Sequence, residues 1–236
     1  MKSCKSIIIT LLLMMSSISA QASCVILLHG LARNSGSMEK LQEKLASEHY
    51  QVVNFGYPSR DFQIEKLAEL AIKPALKECQ PEQAVNFVTH SLGGILVRQY
   101  LSQHPIENLR HVVMLGPPNK GSEVVDKLSD MPGYKFINGK AGMQLSTDIN
   151  TVPNKLGRAN FDLGIIAGTS SINLILSWII PSEDDGKVLV ERTRLEGMND
   201  HLSLPVTHTF MMRNKTVIAQ VLHYFKFGKF NGEKAY

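Results

Sequence analysis

The sequence predicts an α/β domain, with about six mostly parallel strands and helices on both faces of the sheet. Three observations carry this reading. Short runs rich in leucine and β-branched residues alternate four times with stretches of helical periodicity. The connections between them are short. The strand candidates are apolar throughout instead of alternating, as strands buried on both faces are.

The elements follow in order. Residues 24–30, CVILLHG, read as a buried strand closed by glycine. Ser37 reads as an N-cap ahead of Met38, Leu41 and Leu45 at helical spacing. QVVNFGYP (51–58) is a second strand, stopped by Gly56, Tyr57 and Pro58. Ile64, Leu67, Ala71 and Ala75 mark a helix with Pro74 as a kink point. AVNFV (84–88) is a third strand. Leu92, Ile95, Leu96 and Tyr100 give the next helix its inner face, and HVVMLG (111–116) is a fourth strand. Residues 116–161 break the regularity with Pro117-Pro118, Pro132-Gly133, Asn138-Gly139 and Pro153-Asn154. They read as an irregular, cap-like excursion with a few short helices. LGIIAG (163–168) resumes the pattern and HLSLPV (201–206) is the last strand. Val217, Ile218, Val221, Leu222 and Phe225 define a final helix.

The N-terminus differs in kind. Lys2 and Lys5 precede an apolar core from Ile7 to Met15, and Ala20-Gln21-Ala22 fits an A-x-A cleavage site. Residues 1–22 are expected to be a signal peptide, with the mature domain spanning 23–236 and exported to the periplasm or secreted. The apolar core is short for a membrane span. Cleavage removes Cys4 and leaves Cys24 and Cys79. In an exported chain this pair is expected to form a disulfide, because Cys24 begins a strand and Cys79 ends a helix returning to the strand starts. The net charge of +4 comes with no basic stripe, which argues against a nucleic-acid partner.

The chemistry centres on NFVTHSLGG (86–94). Ser91 falls where the third strand turns into a helix, at the sheet end where ligands bind. It is either a helix N-cap or a nucleophile on an elbow, and Gly93 supplies the small residue that such an elbow needs. A serine nucleophile needs a base and an orienting acid. On an elbow of this kind the acid and then the histidine follow the serine along the chain. His208 lies after the last strand. Asp184 and Asp185 lie in the loop after the preceding strand, and Asp185, next to Gly186 at the turn, is favoured as the acid. His201, before the last strand, is the rival base at the wrong sheet end. His90 is expected to point away along the turn, and His49, His104, His111 and His223 are read as structural. Acyl transfer also needs two N–H donors for the oxyanion, for which the Leu92 and Leu31 amides are the candidates. His29 reads as a buried orienting residue, and Tyr57 as a wall of the site. No metal-ligand spacing, Walker loop or dinucleotide fingerprint occurs, so neither metal nor cofactor is expected.

ILLHGL, VTHSLGG, LGPPNKGS, DDGKV and a late VTHT occur in an order similar to that of the α/β-hydrolase superfamily, in its branch of small bacterial lipases and esterases. LGPPNKGS is similar to the T-P-x-x-G-S segment of triacylglycerol lipases. The resemblance spans residues 24–225 and implies a minimal α/β-hydrolase fold. It implies hydrolysis of small-molecule or lipid carboxylic esters through an acyl-enzyme, with Ser91, Asp185 and His208 matching the triad. Thr89 stands where the G-x-S-x-G pattern has its first glycine, a substitution some members share. Two other readings stay open. The same triad could transfer acyl groups to an acceptor, or the scaffold could bind without catalysing. INLILSWIIP (172–181) reads as core; its second reading, through Trp178, is an acyl pocket or a transient membrane or lipid contact. The chain is expected to be a monomer.

Overall fold

The computed structural model describes residues 22–171 and 183–232. The expected leader, save Ala22, and Trp178 with its apolar run lie outside the described residues. Six parallel strands form one sheet in the order β2-β1-β3-β4-β5-β6. They are β1 (Cys24–Leu28), β2 (Gln51–Phe55), β3 (Val85–His90), β4 (Leu109–Leu115), β5 (Leu163–Gly168) and β6 (Asp200–Leu204). The predicted fold class is therefore the one observed.

Strand pleating divides the core in two. Cys24, Ile26, Leu28, Val85 and Phe87 face one side, where they join the apolar faces of α2 (Ile64–Glu78) and α3 (Leu92–Leu101). Val25, Leu27 and Val88 face the other, under α1 (Glu39–Ser47) and the last helix, Lys215–Phe227. The period-two alternation of side chains produces both cores from strands that are apolar at every position. Each core removes well over a dozen large side chains from water, at roughly 1.5–3 kcal/mol for each.

Several boundaries differ from the sequence reading. Ser37 does not cap α1; it sits inside a 3₁₀ turn, Ser35–Met38, and its hydroxyl donates to the Asn34 carbonyl at 2.7 Å. β4 starts two residues early, at Leu109. β6 spans Asp200–Leu204 because Pro205 has no N–H for the ladder. Pro74 lies within α2 without ending it.

The excursion after β4 holds α4 (Glu123–Leu128), α5 (Tyr134–Met143) and α6 (Val152–Lys155). Gly139 breaks α5 at φ +64°, and a Cβ there would meet the Arg60 carbonyl. Buried Arg98 of α3 anchors this region. Its guanidinium donates to the carbonyls of Asn119, Pro153 and Gly157 and to Asn119 Oδ1. Burial pulls its pKa down to about 10. A short helix, α7 (Val190–Thr193), precedes β6, and α8 is Lys215–Phe227. The disulfide is present: Cys24 and Cys79 are bonded across 5.7 Å between Cα atoms at the strand starts.

Candidate active site

Ser91 holds φ +51° and ψ −118° between β3 and α3, a conformation that a non-glycine residue occupies only when its surroundings enforce it. Those surroundings are identifiable. The Ser91 amide donates to the Leu115 carbonyl at 2.9 Å, tying the turn to the end of β4. A Cβ on Gly93 would come within 2.7 Å of the Leu28 carbonyl, so α3 passes the end of β1 only with glycine there. Although Ser91 occupies the N-cap position, its hydroxyl caps no amide of α3. That removes the simplest structural use of this serine and leaves the hydroxyl on a small cavity, about 60 Å³, shared with His90 and His208. Leu31, Pro118, Val125 and Val188 are among its apolar lining.

His208 follows β6. Its Nδ1 lies 2.7 Å from Asp185 Oδ2, and both side chains are buried. The other oxygen, Oδ1, accepts from the Lys187 and Val188 amides at 3.0 and 2.9 Å. The His208 amide also donates to the Asp185 carbonyl at 2.8 Å. With a carboxylate on Nδ1, the neutral ring carries its proton there and leaves Nε2 as the basic nitrogen. Two glycines make the space. A Cβ on Gly116 would meet Asp185 Oδ2 at 2.9 Å, and one on Gly168 would meet Asp185 Cβ at 2.7 Å. Asp184 instead accepts from the Gly186 amide at 2.6 Å.

The histidine beside the serine is placed against expectation. His90 does not point away: its ring packs on His208 with centroids 4.7 Å apart, and Nε2 lies 2.9 Å from the His208 carbonyl. Nε2 must therefore donate, and Nδ1 is left buried without a partner among the described residues. Burial, and then the neighbouring His208, hold His90 well below the ordinary histidine value. Sequence reasoning missed this contact because β3 places the two rings together only after β6 has joined the sheet.

The loop after β1 carries the other candidate amide. Leu31 lines the Ser91 cavity, and its N–H has no acceptor among the described residues. Leu92 opens α3, where first-turn amides lack helical acceptors. Ala32 holds φ +53°, and its amide donates to Ser59 Oγ at 3.1 Å. His29 is buried and stacks on Tyr57 at 4.1 Å, while Tyr57 donates its hydroxyl to the His29 carbonyl and its amide to His29 Nε2. Burial lowers the pKa of His29 and raises that of Tyr57. Tyr57 lines a neighbouring polar cleft instead of the Ser91 cavity.

The rival His201 lies in β6 with Nε2 2.9 Å from Thr193 Oγ1, and burial pushes its pKa down to about 4. His104 pairs with Glu69, His111 with Asp162, and His223 with the Lys229 carbonyl. His49 follows α1 with φ +66°. Among the described residues, no group of three His, Cys, Asp or Glu side chains could hold a metal ion.

Comparison with known proteins places these features in a family. The model for the alpha/beta hydrolase fold matches residues 24–165. The mature lipase BlEst2 of Bacillus licheniformis superposes with a TM-score of 0.68 at 17% identity, over 86% of this chain and 92% of that one. A metagenomic carboxyl esterase, MGS0156, gives 0.64 at 17% identity over 80% and 65% of the two chains. The phospholipase PlaB of Legionella pneumophila gives 0.58 at 20% identity, over 73% of this chain and 46% of its own. A search of curated proteins found no match.

Proposed function

Because the chain belongs to the α/β-hydrolase family, we propose that it is an exported serine hydrolase that cleaves carboxylic acyl esters through an acyl-enzyme. One observation carries this reading: Ser91, strained and free of any capping role, opens on the same cavity as a histidine whose Nδ1 is held by a buried, doubly hydrogen-bonded carboxylate. The esterase and lipase names among the structural neighbours agree with it.

In this reading Ser91 Oγ attacks the ester carbonyl carbon while His208 Nε2 accepts the hydroxyl proton. Asp185 keeps the ring oriented and offsets the charge that the imidazolium gains. The oxyanion forms against the Leu31 and Leu92 amides. Collapse breaks the carbon–oxygen bond to the alcohol, which leaves with the proton from His208. Water then attacks the acyl-serine and gives a proton to His208, which passes it to Ser91 Oγ as the acyl carbon–oxygen bond breaks, releasing the acid and restoring the serine hydroxyl. The apolar lining at Leu31, Val125 and Val188 suits the acyl portion of the substrate. The disulfide at the strand starts supports export, since such bonds persist in oxidising compartments.

A fluorophosphonate probe tests the chemistry. It should label the folded wild type and not Ser91→Ala; a folded wild type that stays unlabelled sinks the proposal. N-terminal sequencing of the exported chain should begin at Ser23.

A further inference from the structure

A second space adjoins the Ser91 cavity. It is a cleft of about 540 Å³ between the loop after β1, the loop after β2 and the 3₁₀ turn Met211–Arg213. Arg33 lines both spaces, which makes them neighbours. Arg60 and Arg213 line the cleft with it, and so do Tyr57 and Ser59.

The arginine ion pairs of the described residues belong to Arg158, Arg192 and Arg194. Arg33, Arg60 and Arg213 make neither an ion pair nor a side-chain hydrogen bond among those residues. One acid, Asp61, shares the lining and pairs with none of them. The sequence from 172 to 182 contains no charged residue, so that stretch adds no acid. Lys187 stands on the rim of the Ser91 cavity. Arg33 lines the same cavity, so the two cations are neighbours, and burial and then the charge of Arg33 hold the Lys187 ammonium below the usual lysine value.

The Ser91 cavity combines apolar side chains, Leu31, Val125 and Val188 among them, with Arg33 and Lys187 on the side of the cleft, and forked, permanently charged donors continue along the cleft wall. Guanidinium groups recognise phosphate and carboxylate through paired N–H bonds, and an unpaired set on a concave wall retains that capacity.

We propose that this cleft binds an anionic group on the alcohol side of the substrate, so that the preferred acyl esters carry a phosphate or carboxylate beyond the scissile bond. The inference rests on Ser91 being the attacking serine. The loop after β1 then serves twice: its Leu31 amide faces the carbonyl, and its Arg33 side chain faces the anion.

The test compares esters that share one acyl chain. 1-Butanoylglycerol is set against 1-butanoylglycerol 3-phosphate, and nitrophenyl butanoate against its ring-carboxylated analogue. Wild type should prefer the anionic member by about tenfold in kcat/KM at low salt. The preference should shrink several-fold towards ~1 M salt, where the Debye length is only ~3 Å. It should fall towards unity in the Arg33→Gln, Arg60→Gln, Arg213→Gln triple variant, since each exposed charge contributes a few-fold. Preference in the phosphate pair alone assigns a phosphate ester; preference in both pairs assigns anions in general. Equal rates on neutral and anionic esters, in a wild type that the fluorophosphonate labels, overturn the cleft and leave the serine hydrolase standing. Calorimetry separates the two ideas when labelling fails. Saturable binding of glycerol 3-phosphate that the triple variant lacks supports the cleft, and no binding by the wild type overturns it.

Discussion

The two ends of the sheet are built to different rules. At the strand starts a carboxylate network and a disulfide close the sheet. Asp162 Oδ1 accepts from the Tyr224 hydroxyl at 2.7 Å and meets His111 Nδ1 at 3.0 Å, while the Cys24–Cys79 bond ties β1 to the end of α2. Burial pushes the Asp162 carboxyl up, but the hydrogen bonds from His111 and Tyr224 outweigh it and hold the group below its ordinary value. Positive φ occurs at both ends, at His49 and Glu82 ahead of β2 and β3 and at Ala32 and Ser91 after β1 and β3, and buried polar atoms without partners among the described residues occur at both, at Asn86 Oδ1 near the start of β3 and at Thr89 Oγ1 and His90 Nδ1 near its end. What separates the ends is the use made of them: a covalent tie and a closed carboxylate network sit at the strand starts, and strained Ser91 shares a cavity with His208, held by Asp185, at the strand ends.

The contrast can be broken most sharply at Asp185. Replacing it with asparagine should lower kcat on a nitrophenyl ester by ~10³–10⁴-fold, as the loss of a base-orienting carboxylate does, with little change in melting temperature. Asp184→Asn should cost far less, since Asp184 holds a turn amide and not His208. Equal losses would erase the distinction between the two carboxylates.

The strand starts should respond in the opposite sense. Cys79→Ser opens a covalent loop with a sequence separation of 55 residues and should lower unfolding free energy in urea by about 2–4 kcal/mol. Activity per folded molecule should not change. Tyr224→Phe removes one donor to Asp162 and should cost about 1 kcal/mol, again without affecting turnover. A large drop in turnover from either would mean that the two ends are coupled.

Acid should strip stability from both ends at once. His29 and His90 lie below the ordinary histidine value of 6.5, and His201 is pushed down to about 4. A histidine held low binds fewer protons folded than unfolded. Its contribution is therefore complete above pH 6.5 and is lost progressively as pH falls towards 4. Urea midpoints at descending pH should fall across that window, less steeply in His201→Asn; parallel slopes would remove His201 as a source. The smallest effect is expected at Thr89. Valine keeps its shape and removes an unpaired buried hydroxyl, so Thr89→Val should be neutral or stabilising by up to about 1 kcal/mol.

The geometry also shows what a sequence can and cannot display. Ser91 is readable because it directly follows the apolar run of β3, His208 because it follows the last strand, and Asp185 because an Asp-Gly turn marks it in the loop between β5 and β6; the parallel sheet places those loops at one end. The hydrogen bond between Asp185 and His208 needed the turn at Asp185-Gly186-Lys187-Val188, whose amides hold one carboxylate oxygen and leave the other for histidine. His90 is unreadable in this way. Its partner lies 118 residues away, and nothing local in THS indicates which side of the strand end His208 will occupy. Gly116 and Gly168 look like ordinary strand-end glycines, yet a Cβ at either would press on Asp185. The arginines of the cleft come from the loops after β1 and β2 and from the 3₁₀ turn Met211–Arg213, and no window of sequence contains them together.

The sequence by itself determined the α/β class, the positions of the strands and the cysteine pair, because apolar runs, helical periodicity and turn residues are local properties of the chain. Tertiary structure decided the strand order, the choice of Asp185 over Asp184 at His208, the packing of His90 on His208 and the cationic cleft. Each of these depends on distances between segments far apart along the chain, and those distances exist only once the two apolar cores have closed around the sheet.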